Sequence, residues 1–181
     1  IVRLDLYYHQ ELIQSIRSQQ NVVDDWSRLL AFARKGYKGN FLGYAMKVEF
    51  GNDRGVHVHS IFIMNGSNLE RDVKVARSLG HHWVKNVVPG IGRYFNCNEK
   101  THQEKYKWRA VGTFTKMDEE FQSGVKAMSV YVTKPDPLPR LVVHGLKKKF
   151  RKGELNDRQK MRVRRRKDAF RVSRDVKAGM Q

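Results

Sequence analysis

The run Phe41-Leu-Gly-Tyr-Ala-Met-Lys-Val-Glu-Phe-Gly-Asn-Asp-Arg-Gly-Val-His-Val-His-Ser-Ile-Phe-Ile-Met64 decides how the chain is read. Two apolar, strand-like stretches, 41–50 and 56–64, flank Gly51-Asn-Asp-Arg-Gly55, a strong turn composition. The spacing predicts a β-hairpin in which Phe50 pairs with Val56 and Glu49 with His57. Alternate residues of a strand share a face, so His57 and His59 project the same way and Glu49 joins them. Two imidazoles and a carboxylate form a half-site for a divalent ion, with positions left for water and a phosphate oxygen. A slip of one residue would turn Glu49 to the opposite face. Taken alone, a His-x-His pair on a strand is more often a hydrogen-bonded pair than a ligand pair.

Working outward, Val2-Arg-Leu-Asp-Leu-Tyr-Tyr8 alternates as a strand, with Val2, Leu4, Leu6 and Tyr8 on one face and Arg3, Asp5 and Tyr7 on the other. Residues 22–35 read as a helix, with Val22, Val23, Trp26, Leu29, Leu30 and Ala33 at helical spacing and Gly36 and Gly39 as the stop. Ser67-Asn-Leu-Glu70 matches a capping box and predicts a helix to about Leu79. The stretch 81–108 is mixed, basic and aromatic, and Ala110-Val-Gly-Thr-Phe-Thr115 reads as a further strand. Residues 117–134 read as a helix that Pro135 ends near Lys134, because a residue before proline avoids the helical region.

That last helix carries Tyr131-Val-Thr-Lys134. Residues three apart are neighbours on a helix face. A tyrosine has a pKa of about 10, so forming the phenolate at pH 7 costs about 4 kcal/mol. A nearby ammonium lowers that cost and can neutralise charge on a leaving oxygen. An isolated Tyr-x-x-Lys is more often a packed tyrosine with a hydrogen-bonded hydroxyl.

The chain has 36 Lys and Arg against 18 Asp and Glu, a formal net charge of +18 over 181 residues. Such a surplus points to a polyanionic partner, nucleic acid first. Residues 147–181 carry +11 of it, including Lys147, Lys148, Lys149, Arg164, Arg165 and Arg166. This composition reads as a basic arm over 146–181, helical or partly disordered, that clamps hairpin or duplex DNA through phosphates with steeply salt-dependent binding. Arg3, Trp83, Arg93 and Tyr94 are further candidates for unpaired DNA, since aromatic faces suit exposed bases and cations suit phosphates. Aromatic residues in such a stretch are as often core. No apolar run approaches the roughly 20 residues that span a bilayer, and no signal peptide is visible. The single cysteine, Cys97, forms no internal disulfide, fits a reducing compartment and reads as buried filler. The start at Ile1, directly on a strand, reads as a piece cut from a longer protein.

Taken together, a hairpin with His57-Val-His59, a carboxylate on the preceding strand and a downstream helix with Tyr131-Val-Thr-Lys134 resemble the HUH endonuclease superfamily, in its single-tyrosine branch of rolling-circle replication initiators. Val2-Arg-Leu-Asp-Leu6, Gly55-Val-His-Val-His-Ser-Ile-Phe62, Trp83-Val-Lys85, Gly90-Ile-Gly-Arg-Tyr-Phe-Asn-Cys-Asn98 and Tyr131-Val-Thr-Lys134 are most similar to the inovirus-type replication proteins of filamentous phages and prophage-like elements. The resemblance covers about residues 1–145 and leaves the tail outside.

What the resemblance implies is an α+β nicking domain over 1–145. Its central antiparallel sheet has flanking helices, as in a relative of the ferredoxin-like folds, and the metal lies on one sheet face. By it, His57, His59 and Glu49 hold Mg²⁺ or Mn²⁺, with Asp5, His81 or His82 as substitutes for Glu49. Tyr131 attacks the scissile phosphate of single-stranded DNA at a replication origin and leaves a 5′-phosphotyrosine and a free 3′-hydroxyl, with Lys134 assisting. The setting implied is the bacterial cytoplasm, beside the host replication machinery and away from membrane. A single-tyrosine transposase or a relaxase shares these features, and a non-catalytic nucleic-acid-binding module would keep the charge without needing Tyr131. A phosphoesterase with two His-x-Thr/Ser motifs fits poorly, because the second copy is absent. No phosphate-binding Gly-x-x-x-x-Gly-Lys-Ser/Thr motif is present.

Overall fold

The alternation in the hairpin and in the first strand builds a sheet with two unlike faces. The computed structural model describes residues 1–9, 19–51, 55–66, 71–100, 110–115, 117–134 and 150–153. Within them the elements are β1 (Val2–Tyr8), α1 (Gln19–Gly36), β2 (Phe41–Gly51), β3 (Gly55–Met64), α2 (Asp72–His82), a wide π-helical turn (Trp83–Val87), β4 (Gly92–Asn96), α3 (Glu119–Thr133) and β5 (Phe150–Gly153). The five strands form one sheet in the order β4-β1-β3-β2-β5, and every neighbouring pair is antiparallel. The class is α+β. Among the described residues, no helix is long and apolar enough to cross a membrane.

One face is the core. Val2, Leu4, Leu6 and Tyr8 of β1, Met46 and Val48 of β2, and Val56, Val58 and Phe62 of β3 are buried there. They pack with Val22, Trp26, Leu29, Leu30 and Ala33 of α1, with Val75, Ala76 and Leu79 of α2, and with Trp83 and Val87 of the turn. Burying one such aliphatic or aromatic side chain stabilises by roughly 1.5–3 kcal/mol. Polar atoms that enter this layer are paired: the Trp26 indole N–H donates to Ser60 Oγ at 2.8 Å, and the Tyr8 hydroxyl donates to Asp25 at 3.1 Å.

The opposite face carries Arg3, Asp5 and Tyr7 of β1, Lys47 and Glu49 of β2, and His57 and His59 of β3, as their shared register requires. Helix α3 lies over one end of this face. Met128 and Val132 bury against Ile61, with Ile1, Ala45, Ala110 and Phe150 around them. Asp118 caps α3 by accepting from Phe121 N at 3.0 Å. At the other end Lys134 has turned to extended backbone, with ψ 137°.

Four expectations meet a different outcome or fall outside. Helix α2 passes Leu79 and continues through the wide turn to Val87. Gly80 does not stop it. A Cβ on Gly80 would lie 2.3 Å from the Tyr94 ring, so this glycine lets α2 approach β4. Ala110–Thr115 is not a strand. Gly112 has φ +114°, which breaks the extended run, and the segment instead exchanges hydrogen bonds with Ile1, at 2.9 and 2.7 Å. Residues 150–153, read as part of the basic arm, form β5 at the sheet edge. The capping box at 67–70 lies outside the described residues.

Candidate metal centre

The hairpin register is the expected one: Phe50 is opposite Val56, Glu49 opposite His57, and Lys47 opposite His59. Glu49, His57 and His59 each offer one ligand atom, and these atoms all lie within 4.8 Å of one another. Glu49 Oε2 is 3.0 Å from His59 Nε2 and 3.4 Å from His57 Nε2. This cluster could hold a metal ion, and its donor set of two nitrogens and one carboxylate oxygen suits a divalent cation.

Neighbouring strands set the ring orientations. Asp5, opposite His59 on β1, lies 2.7 Å from His59 Nδ1. That contact turns Nε2 toward Glu49, the arrangement in which a carboxylate orients a metal-binding imidazole. His57 Nδ1 is 3.1 Å from the Gly55 carbonyl, so its Nε2 also faces the cluster. The Tyr7 ring stacks on His57 with centroids 5.6 Å apart. Asp5 therefore orients His59 and stands outside the cluster that Glu49 completes.

Charge alternates across the face. Arg3 donates to both oxygens of Asp5, at 3.3 and 3.4 Å. Asp5 and Glu49 flank His59. Lys47 donates to Glu49 Oε1 and, at 2.8 Å, to the main-chain oxygen of Lys134. Hydrogen bonds from His57 and His59, with Lys47, hold the Glu49 carboxyl well below the usual carboxylate range. Burial works against the Asp5 carboxylate, but the bonds from His59 and Arg3 prevail and lower its pKa. Burial likewise disfavours the His59 cation, yet Asp5 and Glu49 raise its pKa above the ordinary value.

Helix α3 brings Tyr131 to this cluster. Its ring stands edge-on to His59, with centroids 5.4 Å apart. The residue is 46% exposed, so it is not core filling. Burial raises the phenol pKa; Arg3 lowers it, and Asp5 and Glu49 raise it further. The cation over the ring is Arg3, with Cζ 5.0 Å from the centroid. Lys134 was expected in that role. It caps the C-terminal end of α3, is exposed, and contributes its main-chain oxygen to Lys47.

The DNA-contact candidates divide. Trp83 is fully buried, and its indole N–H donates to the Tyr7 carbonyl at 3.4 Å. The helix continues the apolar spacing Val75, Leu79, Trp83, Val87, which places Trp83 in the core and away from any base. Arg3 is 8% exposed and belongs to the site network, not to an outer phosphate surface. Tyr94 is half-buried against Gly80, whereas Arg93 is exposed on β4 opposite Tyr7. His81 contacts the Tyr94 ring and His82 stacks on Phe32 at 3.7 Å, so neither substitutes for Glu49. Lys147, Lys148, Lys149, Arg164, Arg165 and Arg166 lie outside the described residues. Burial pushes the Cys97 thiol up to about 12, which makes it inert.

Lys47 escaped the sequence reading. Its only mark there is its position two residues before Glu49, hence on the same face of the strand. Compared with protein-family models, with curated proteins and with solved structures, the chain matches none.

Proposed function

We propose that this chain is a metal-dependent nicking and joining domain for single-stranded DNA, with Tyr131 as its nucleophile. The observation that carries the reading is the placement of a half-exposed tyrosine hydroxyl-bearing ring against His59 of the Glu49–His57–His59 cluster. Two distant parts of the chain, a hairpin and a late helix, converge there. The formal charge of +18 suits a nucleic-acid substrate.

Glu49, His57 and His59 would hold the ion, Mg²⁺ or Mn²⁺. When bound, such an ion supplies Lewis-acid polarisation of a phosphoryl oxygen. Asp5 fixes the His59 ring for that task. The Tyr131 oxygen attacks phosphorus, a new phosphotyrosine ester forms, and the bond from phosphorus to the 3′-oxygen breaks. The phenol proton leaves to solvent, and the departing 3′-oxygen takes one up, so the exchange of esters balances without a further reactant. Arg3, over the Tyr131 ring and beside Asp5, favours the phenolate as the proton leaves.

The resemblance to rolling-circle initiators narrows the substrate to an origin strand of a phage or prophage-like element in a bacterial cytoplasm. The 5′-linked product leaves a 3′-hydroxyl that a host polymerase can extend. Covalent capture of labelled DNA tests the reading, with Tyr131→Phe and a chelator as the two comparisons.

A further inference from the structure

Lys47 sits at the centre of the site face and is 5% exposed, although lysine is among the residues least often buried. Removing an ammonium from water is costly unless it finds acceptors. Among the acceptors of Lys47 are two of different kinds. One is Glu49 Oε1, on the carboxylate whose other oxygen faces the histidines. The other is the main-chain oxygen of Lys134, at 2.8 Å.

Lys134 is the cap residue of α3, three positions beyond Tyr131. The last carbonyls of a helix have no partner inside it and carry partial negative charge. The Lys134 carbonyl, on the cap residue where the backbone has already turned extended, accepts from this buried cation. Lys47 itself is held rigidly, paired with His59 on one side and with Phe150 of β5 on the other. The apolar contacts of α3 extend to Val132, in its last turn.

We infer that Lys47 is a positioning residue: its ammonium ties the C-terminal end of the tyrosine-bearing helix to the carboxylate of Glu49, and so fixes Tyr131 relative to the metal cluster. The catalytic consequence rests on the proposed nicking activity. The tie itself is a property of the fold and can be read without DNA.

The test compares the full chain with Lys47→Met, which keeps the stem, and Lys47→Arg, which keeps the charge. Hydrogen exchange in the last turn of α3 is followed on the protein alone, Mn²⁺ binding by titration, and covalent capture at saturating Mn²⁺ and DNA. Loss of a charge-assisted bond should speed exchange in that turn of Lys47→Met by about tenfold. Its saturating capture rate should fall by about tenfold, with its KM for DNA within about threefold and its Mn²⁺ affinity not weakened. Lys47→Arg should recover most of both losses. Unchanged exchange in a folded Lys47→Met overturns the tie, and an unchanged saturating rate overturns its catalytic consequence. If Lys47→Met does not fold, Lys47→Gln, which keeps a donor without the charge, decides by the same readings. If the wild type captures no DNA, the nicking reading fails and the exchange result alone decides for or against the tie.

Discussion

Tyr131 stands edge-on to His59, 5.4 Å between ring centroids, although 72 positions separate them in the chain. The pair joins the helix α3 to the hairpin face and puts a phenol beside a cluster fit for a cation. Arg3 and Lys47 bracket the same place, one over the tyrosine ring and the other on Glu49.

Asp5 holds His59 by Nδ1 at 2.7 Å. Asp5→Asn should weaken Mn²⁺ binding by about 10–100-fold, the usual effect of losing a carboxylate that orients a metal-binding imidazole. Calorimetric titration with Mn²⁺ checks this. Affinity within about twofold of wild type would mean that the His59 ring is oriented by something else.

The protonation states predict opposite pH responses with and without metal. In the metal-free protein the raised pKa of His59 contributes stability that is fully present below its ordinary value near 6.5 and is lost as pH rises through the raised value. Asp5 and Glu49, both lowered, contribute stability present above the ordinary carboxylate range and lost as pH falls through their folded values. Metal ligation needs neutral imidazoles, so Mn²⁺ binding should strengthen as pH rises. Thermal melts from pH 4 to pH 9 should show the metal-free protein losing stability toward the alkaline end while the stabilisation by Mn²⁺ grows. Equal Mn²⁺ stabilisation across pH 6–9 would contradict ligation by these histidines.

Gly80 allows α2 to approach β4, and a Cβ there meets the Tyr94 ring at 2.3 Å. Gly80→Ala should destabilise by about 1–3 kcal/mol through overpacking. Because Gly80 belongs to the core side of the sheet, Mn²⁺ affinity of the folded protein should stay unchanged. Urea denaturation measures the first expectation and titration the second.

The hairpin was legible because its turn residues and its period-two alternation agree, and register then carried Glu49 to His57. Tyr131 was legible as a candidate, but its partner was not. The spacing of Tyr131 and Lys134 suggested one helical face, whereas Pro135 ends the helix so abruptly that Lys134 adopts extended backbone and Arg3 takes the place over the ring. Strands β4 and β5 were missed because five- and four-residue strands, one bounded by Gly92 and Asn96 and one half basic, have too few alternations to register. The helix expected to end near Leu79 runs on because Gly80 lies within it and lets it approach β4. The place of Lys47 two residues before Glu49 marks its face but not its role, which depends on where the end of a distant helix comes to rest.

The measurement that bears most directly on the central claim is covalent capture. The protein is incubated with a pool of labelled single-stranded DNA and Mn²⁺, with the element's own origin strand as a second substrate, and resolved on a denaturing protein gel. We predict a slow-migrating adduct that disappears with chelator and with Tyr131→Phe, and whose digestion leaves the label on the peptide containing Tyr131. Tight binding of the origin strand without any adduct, or an adduct that survives Tyr131→Phe, would contradict a tyrosine nucleophile at this site.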